Sequence, residues 1–179
     1  MHGRNIAHKT LTLVTFLIVL AALGCGSYNP VSPSQENSNV PGVENPLFAR
    51  LLPTSKGDMP YLGSAKTQMI SAKEGGVASN GYFSVYFPPG ALKEDTEISI
   101  EMPRFPEAVV RLGPHGIKFR RAVTLSLSLN SMDSDATDYK VLWYNEKSGR
   151  WEDIGGYIED GAVKADLEHF SDYGMEDKG

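Results

Sequence analysis

Residues 82–102 read Tyr-Phe-Ser-Val-Tyr-Phe-Pro-Pro-Gly-Ala-Leu-Lys-Glu-Asp-Thr-Glu-Ile-Ser-Ile-Glu-Met. Phe83, Val85 and Phe87 alternate with Tyr82, Ser84 and Tyr86, and Ile98, Ile100 and Met102 alternate with Glu97, Ser99 and Glu101. A period of two places each apolar set on one face of a strand, with polar residues on the other face. Between the two runs, Pro88 and Pro89 offer no backbone donor, so ladder pairing stops there. Gly90 supplies the backbone freedom of the corner. The stretch predicts two half-buried strands joined by a stiff turn.

The same pattern continues on both sides. Upstream, Thr67–Ala72 is a candidate strand, closed by Lys73-Glu74-Gly75-Gly76. Downstream, Ala108–Leu112 is short and apolar, and Gly113-Pro114-His115-Gly116 is a turn by composition. Ile117–Phe119 follows, then Val123–Leu129, where Val123, Leu125, Leu127 and Leu129 alternate with Thr124, Ser126 and Ser128. Lys140–Tyr144 and Arg150–Ile154 flank a hairpin connection at residues 145–149, and Ile158 and Ala162–Leu167 flank another at residues 159–161. A last strand is expected at His169–Gly174. Many short strands with regular turns and no sustained helical period predict an all-β fold, an antiparallel β-sandwich or partly open barrel.

The chain has 179 residues and a formal charge of −5, with one cysteine, Cys25. Length allows one domain with flanking segments. A lone cysteine excludes an internal disulfide and leaves a Cys-based zinc site short of ligands. No basic cluster stands out along an acidic chain, which argues against nucleic acid and against electrostatic attraction to an anionic membrane surface. No motif calls for a cofactor.

Residues 1–24 differ in kind. Arg4 and Lys9 precede the apolar run Leu11–Leu23, which is interrupted by Thr12 and Thr15. That run is short of the ~20 residues that span a bilayer and matches the core of a secretory signal. It ends Leu20-Ala21-Ala22-Leu23-Gly24-Cys25. Small residues ahead of a cysteine at this place resemble the lipobox of bacterial lipoproteins. The resemblance implies removal of residues 1–24 and diacylglycerol on the Cys25 thiol, often with acylation of the new amine. Two or three chains would hold the protein firmly, each buried methylene contributing ~0.8 kcal/mol. Gly26, rather than aspartate, after the cysteine implies outer-membrane sorting if the source has an outer membrane. Removing Arg4 and Lys9 takes the formal charge from −5 to −7. Residues 25–61 are rich in Ser, Asn and Pro at first and read as a flexible tether, Val43–Leu52 included despite Leu47, Phe48, Leu51 and Leu52. The folded domain is expected at residues 62–179.

Within that domain Gly75-Gly76, Phe87-Pro88-Pro89-Gly90-Ala91-Leu92, Thr96-Glu97-Ile98, Gly113-Pro114-His115-Gly116-Ile117-Lys118-Phe119 and Ala122-Val123-Thr124-Leu125 occur in order. Together they resemble the ZU-five domain, named for zonula occludens proteins and the netrin receptor Unc-five. Ala122 stands where proline is common in that family. The resemblance is strongest over residues 71–129 and implies a β-sandwich interaction module, non-enzymatic, that binds or scaffolds a protein partner.

Some members of that family cut themselves at His-Phe-Ser, which places His169-Phe170-Ser171 under scrutiny. In a strand His169 and Ser171 share a face, so the imidazole is placed to draw the hydroxyl proton as Ser171 attacks the Phe170 carbonyl. A cut would release a short stub, and a plain final strand with Phe170 in the core is the preferred expectation. Trp143, Tyr144 and Trp151 on the first hairpin offer either core packing, which is preferred, or a sugar platform for a carbohydrate-binding adhesion module. His115 is read as a turn residue rather than a metal ligand. Asp133, Asp135 and Asp138 form an acidic loop whose spacing fails the EF-hand pattern. No catalytic set and no metal site is expected; Cys25 is the one modification site.

Overall fold

A computed structural model describes residues 42–53 and 65–178. The segment expected to be a signal, the expected lipidation residue Cys25 and most of the expected tether lie outside these residues. Among the described residues eleven strands make two antiparallel sheets: β1 (Lys66–Ile70), β2 (Gly76–Ser79), β3 (Phe83–Phe87), β4 (Thr96–Glu101), β5 (Val109–Gly113), β6 (Lys118–Ser128), β7 (Tyr139–Asn145), β8 (Arg150–Asp153), β9 (Tyr157–Glu159), β10 (Ala162–His169) and β11 (Asp172–Asp177). One sheet has the order β1-β4-β5-β11-β7-β8 and the other β2-β3-β6-β10-β9. The all-β sandwich expected from the alternating runs is what the chain forms. Among the described residues no helix is long and apolar enough to cross a membrane.

The core follows the period-two faces. Phe83, Val85 and Phe87 from β3 and Val123, Leu125 and Leu127 from β6 are fully buried, and Ile98, Ile100 and Met102 meet them from the facing sheet. Full burial of such side chains contributes ~1.5–3 kcal/mol each. The two halves of residues 82–102 therefore pack against one another from opposite sheets. The Pro-Pro-Gly corner is the crossing: Gly90, at φ +78°, donates its N–H to Ala72 at 2.8 Å, and Ala91 donates to Pro88 at 3.0 Å. Both predicted hairpins form, with Tyr144 opposite Trp151 and Ile158 opposite Val163.

Three expectations are corrected. First, the two strands expected at residues 117–119 and 123–129 are one strand, β6, running from Lys118 to Ser128 with a defect within it. Leu167 pairs with Val123, yet the next pair is His169 with Lys118. Phe119–Ala122 bow away from β10, a large bulge of the kind that bends a strand and ends local pairing. Second, His169 does not begin the last strand. It ends β10 in one sheet, and β11 begins at Asp172 in the other. His169-Phe170-Ser171 is thus a corner between sheets. The Phe170 ring goes into the core against Phe87 and Phe119, with ring centres 6.0 and 4.9 Å away.

Third, residues 42–53 are not linker. They form a strap. Val43 and Trp151 exchange backbone hydrogen bonds of 2.8 and 3.0 Å at the β8 edge. Ala49 donates to Met175 at 2.8 Å and accepts from Ala108 at 2.7 Å, and Leu51 donates to Pro106 at 2.7 Å. Phe48, only 6% exposed, packs on the outer side of the six-stranded sheet with Val109, Leu142 and Trp151. Its ring lies on Gly174, where any Cβ would overlap it. Leu51 enters the main core, whereas Leu47 stays 85% exposed. The bulk of one aromatic fitted to one glycine supplies what the sparse apolar content of the segment conceals.

Candidate functional site

Three loops meet at one end of the sandwich: the β7–β8 turn, the Gly113–Ile117 turn and the β10–β11 corner. Between them is an open cleft of about 610 Å³, whose walls include His115, Lys118, Trp143, Tyr144, His169 and Ser171. The histidine of the Gly-Pro-His-Gly turn, the His-Phe-Ser corner and part of the aromatic hairpin, singled out separately in the sequence, thus converge in space.

The corner is held by its own hydrogen bonds. Tyr173 donates its phenol proton to the carbonyl of His169 at 2.6 Å, and that phenol also lies 3.3 Å from His169 Nδ1. Burial raises the Tyr173 phenol well above its ordinary value. A tyrosine bonded to backbone a few residues upstream is a recurrent lock in β-sandwiches. Ser171 Oγ donates to the carbonyl of Tyr144 at 3.1 Å. The Phe170 carbonyl accepts from Gly116 N at 3.2 Å. His169 and Ser171 do not share a strand face. Among the described residues no hydrogen bond joins them: the imidazole leans on Trp143, with ring centres 4.9 Å apart, and the hydroxyl proton points at Tyr144. Among the described residues the serine hydroxyl bonds a backbone carbonyl and no basic side chain.

His115 lies between two carboxylates, 3.4 Å from Glu146 Oε1 and 3.6 Å from Asp172 Oδ1. Asp172 is also gripped by Arg111 through two bonds of 2.9 and 3.0 Å, a bidentate pair that raises the guanidinium's pKa further, first through the hydrogen bond itself. His115 is therefore joined to β11 and to the β7–β8 turn. Among the described residues no group of three or more His, Cys, Asp or Glu side chains is arranged to hold a metal ion. In the acidic loop, Asp138 pairs with Lys178 at 3.0 Å, and Ser134 bonds Asp177 at 2.9 Å.

The aromatic hairpin splits between two faces. Tyr144 and Trp151 are cross-strand partners, and Trp151, 7% exposed, joins Phe48 under the strap at a ring distance of 4.8 Å. Trp143 packs toward the main core and His169. A flat platform of Trp143, Tyr144 and Trp151 together does not exist, because neighbouring residues of a strand point to opposite faces. Trp143 remains in the cleft; Tyr144 borders it, while its ring lies 5.2 Å from that of Trp151.

The sequence reading saw no basic cluster; the fold makes one. The β6 bulge opens a second recess of about 360 Å³ lined by Lys118–Ala122, Glu168 and His169, so Lys118 and His169 belong to both hollows. Lys118, Arg120 and Arg121 are exposed there, and Lys147 stands on the far wall of the first cleft. Among the described residues none of these four side chains enters an ion pair or hydrogen bond. Net charge hides such clustering, and the signal available in sequence was Lys-Phe-Arg-Arg between two apolar runs.

Comparison with curated proteins returns no match. The sequence profile of the Zu5-like domain matches residues 67–176, more than half the chain, from β1 to the end of β11, and on that match the chain belongs to the Zu5-like domain family.

Proposed function

We propose that this protein is a lipid-anchored component of the cell envelope, attached through Cys25, whose Zu5-like domain binds or scaffolds a partner without transforming it. The anchor rests on Leu20-Ala21-Ala22-Leu23-Gly24-Cys25 at the end of an apolar run too short to span a bilayer. The binding role rests on the cleft. It gathers aromatic and charged side chains, while its serine and histidine are engaged with Tyr144 and Tyr173 rather than with each other. That arrangement supports recognition over self-cleavage, which needs the His169 ring to turn onto Ser171. Radiolabelled palmitate should enter the wild type and not Cys25→Ala; label in both removes the anchor. A photo-cross-linker at position 146 or 147 in the native envelope should capture a partner, and a cross-linker at exposed Glu97, on β4 and three strands away from β7 in the same sheet, should not. Equal capture from both positions removes the cleft as the binding surface.

A further inference from the structure

The basic recess opened by the β6 bulge adjoins an aromatic cleft, and we infer that the two together bind an acidic glycan: a sugar chain carrying carboxylate, sulfate or phosphate groups. This deepens the binding role proposed above by naming the partner's chemistry. The charge argument is local. Four cations, Lys118, Arg120, Arg121 and Lys147, line the two hollows against Glu146 and Glu168, on a chain whose formal charge is −5. Glu146 is turned to His115 at 3.4 Å, and the cations have no partner among the described residues. Unpaired cations gathered around a recess raise the local concentration of an incoming anion, and guanidinium groups fit carboxylate, sulfate and phosphate oxygens.

The backbone adds to this. Phe119–Ala122 have no ladder partner on β10, so the gap between the strands is bounded by main chain as well as by Arg120 and Arg121. Next to it, Trp143 gives the apolar surface on which a sugar ring packs, and Asn145 and His115 give hydrogen-bonding groups around it. An aromatic wall for the ring beside cations for its substituents is the pair of features an acidic sugar needs. A planar anionic bilayer would meet the tips of the bulge and leave the hollows unfilled.

The test is binding of full-length protein in detergent micelles to tetragalacturonate, a chondroitin sulfate tetrasaccharide and a mannose 6-phosphate oligosaccharide. Maltotetraose, polyglutamate and phosphatidylglycerol vesicles are measured beside them. At least one acidic sugar should bind ten-fold or more tightly than maltotetraose and polyglutamate. Binding should weaken ten-fold or more in Arg120→Ala/Arg121→Ala, and in the wild type when NaCl rises from about 50 to 500 mM. If no acidic sugar outbinds maltotetraose, if polyglutamate or the vesicles bind as well, or if the double substitution and salt change nothing, the inference is overturned. A blank sugar panel alongside specific capture from position 147 would end the glycan assignment and leave the cleft's binding role standing.

Discussion

The phenol of Tyr173 is bonded to the carbonyl oxygen of His169 across the corner that carries the chain from one sheet to the other, at 2.6 Å. The bond needs the neutral phenol, and burial raises its pKa above the ordinary value of 10.0. The sign follows from linkage. A folded-state pKa above the unfolded one gives stability that is complete below about pH 10 and is lost as pH rises from there toward the folded value. Chemical denaturation between pH 8 and 12 should show wild-type stability falling above about pH 10. Tyr173→Phe should lose ~1 kcal/mol at neutral pH, the net worth of one hydrogen bond, and fall less steeply in alkali. An unchanged alkaline slope in the variant would remove this corner as the cause.

Phe48 and Gly174 form a second matched pair. Phe48→Ala should cost ~3–5 kcal/mol, on the order of a 10 °C fall in Tm. Gly174→Ala should destabilise too, because the added methyl occupies the space of the ring. Combining the two should cost less than the sum, since removing the ring frees the space the methyl needs. Thermal melts of the three variants check this.

The two tryptophans should behave differently. Trp151 is buried beneath the strap and Trp143 lines an open cleft. Trp151→Ala should lower stability by ~3–5 kcal/mol, and Trp143→Ala should cost distinctly less. Equal losses in urea titrations would place Trp143 in the core rather than at the cleft.

The His169-Phe170-Ser171 corner should stay intact. The Ser171 hydroxyl is spent on Tyr144 and the His169 ring on Tyr173. Intact mass spectrometry should find the same full-length mature species, corrected for the single atom changed, in wild type and in Ser171→Ala. A wild-type species ending at Phe170, absent from the variant, would reverse this.

What was legible in the sequence was what alternation records. Phe83, Val85 and Phe87, or Val123, Leu125 and Leu127, announce their faces because side chains in a strand alternate without reference to anything distant. The corner at Phe170 was not legible: His, Phe and Ser alternate as a strand does, and only the change of pairing partner from β6 to β5 and β7 reveals a turn between sheets. The strap was missed because the short apolar run around Phe48 shows no strand alternation, and the socket of Phe48 is an absence of side chain at Gly174. The basic recess was missed because alternation makes Lys118, Arg120 and Arg121 look like ordinary polar strand positions, and only the bulge in β6 turns them together around a hollow that adjoins the cleft of Lys147. Of the candidate site, the individual residues His115, Trp143, His169 and Ser171 could be named beforehand, but not their meeting.

Residues 42–53 would also set how far an anchored protein could wander. If Cys25 carries the lipid proposed above, the strap leaves residues 26–41 as the whole chain between that lipid and the first fastened contact, a leash of at most roughly 55 Å, less than half of what a segment running free to residue 61 would allow. Any pull along that leash arrives first at the Val43–Trp151 bonds and at the Phe48 plug. The same few contacts that close the outer sheet would therefore bear the mechanical load of holding the protein at a surface.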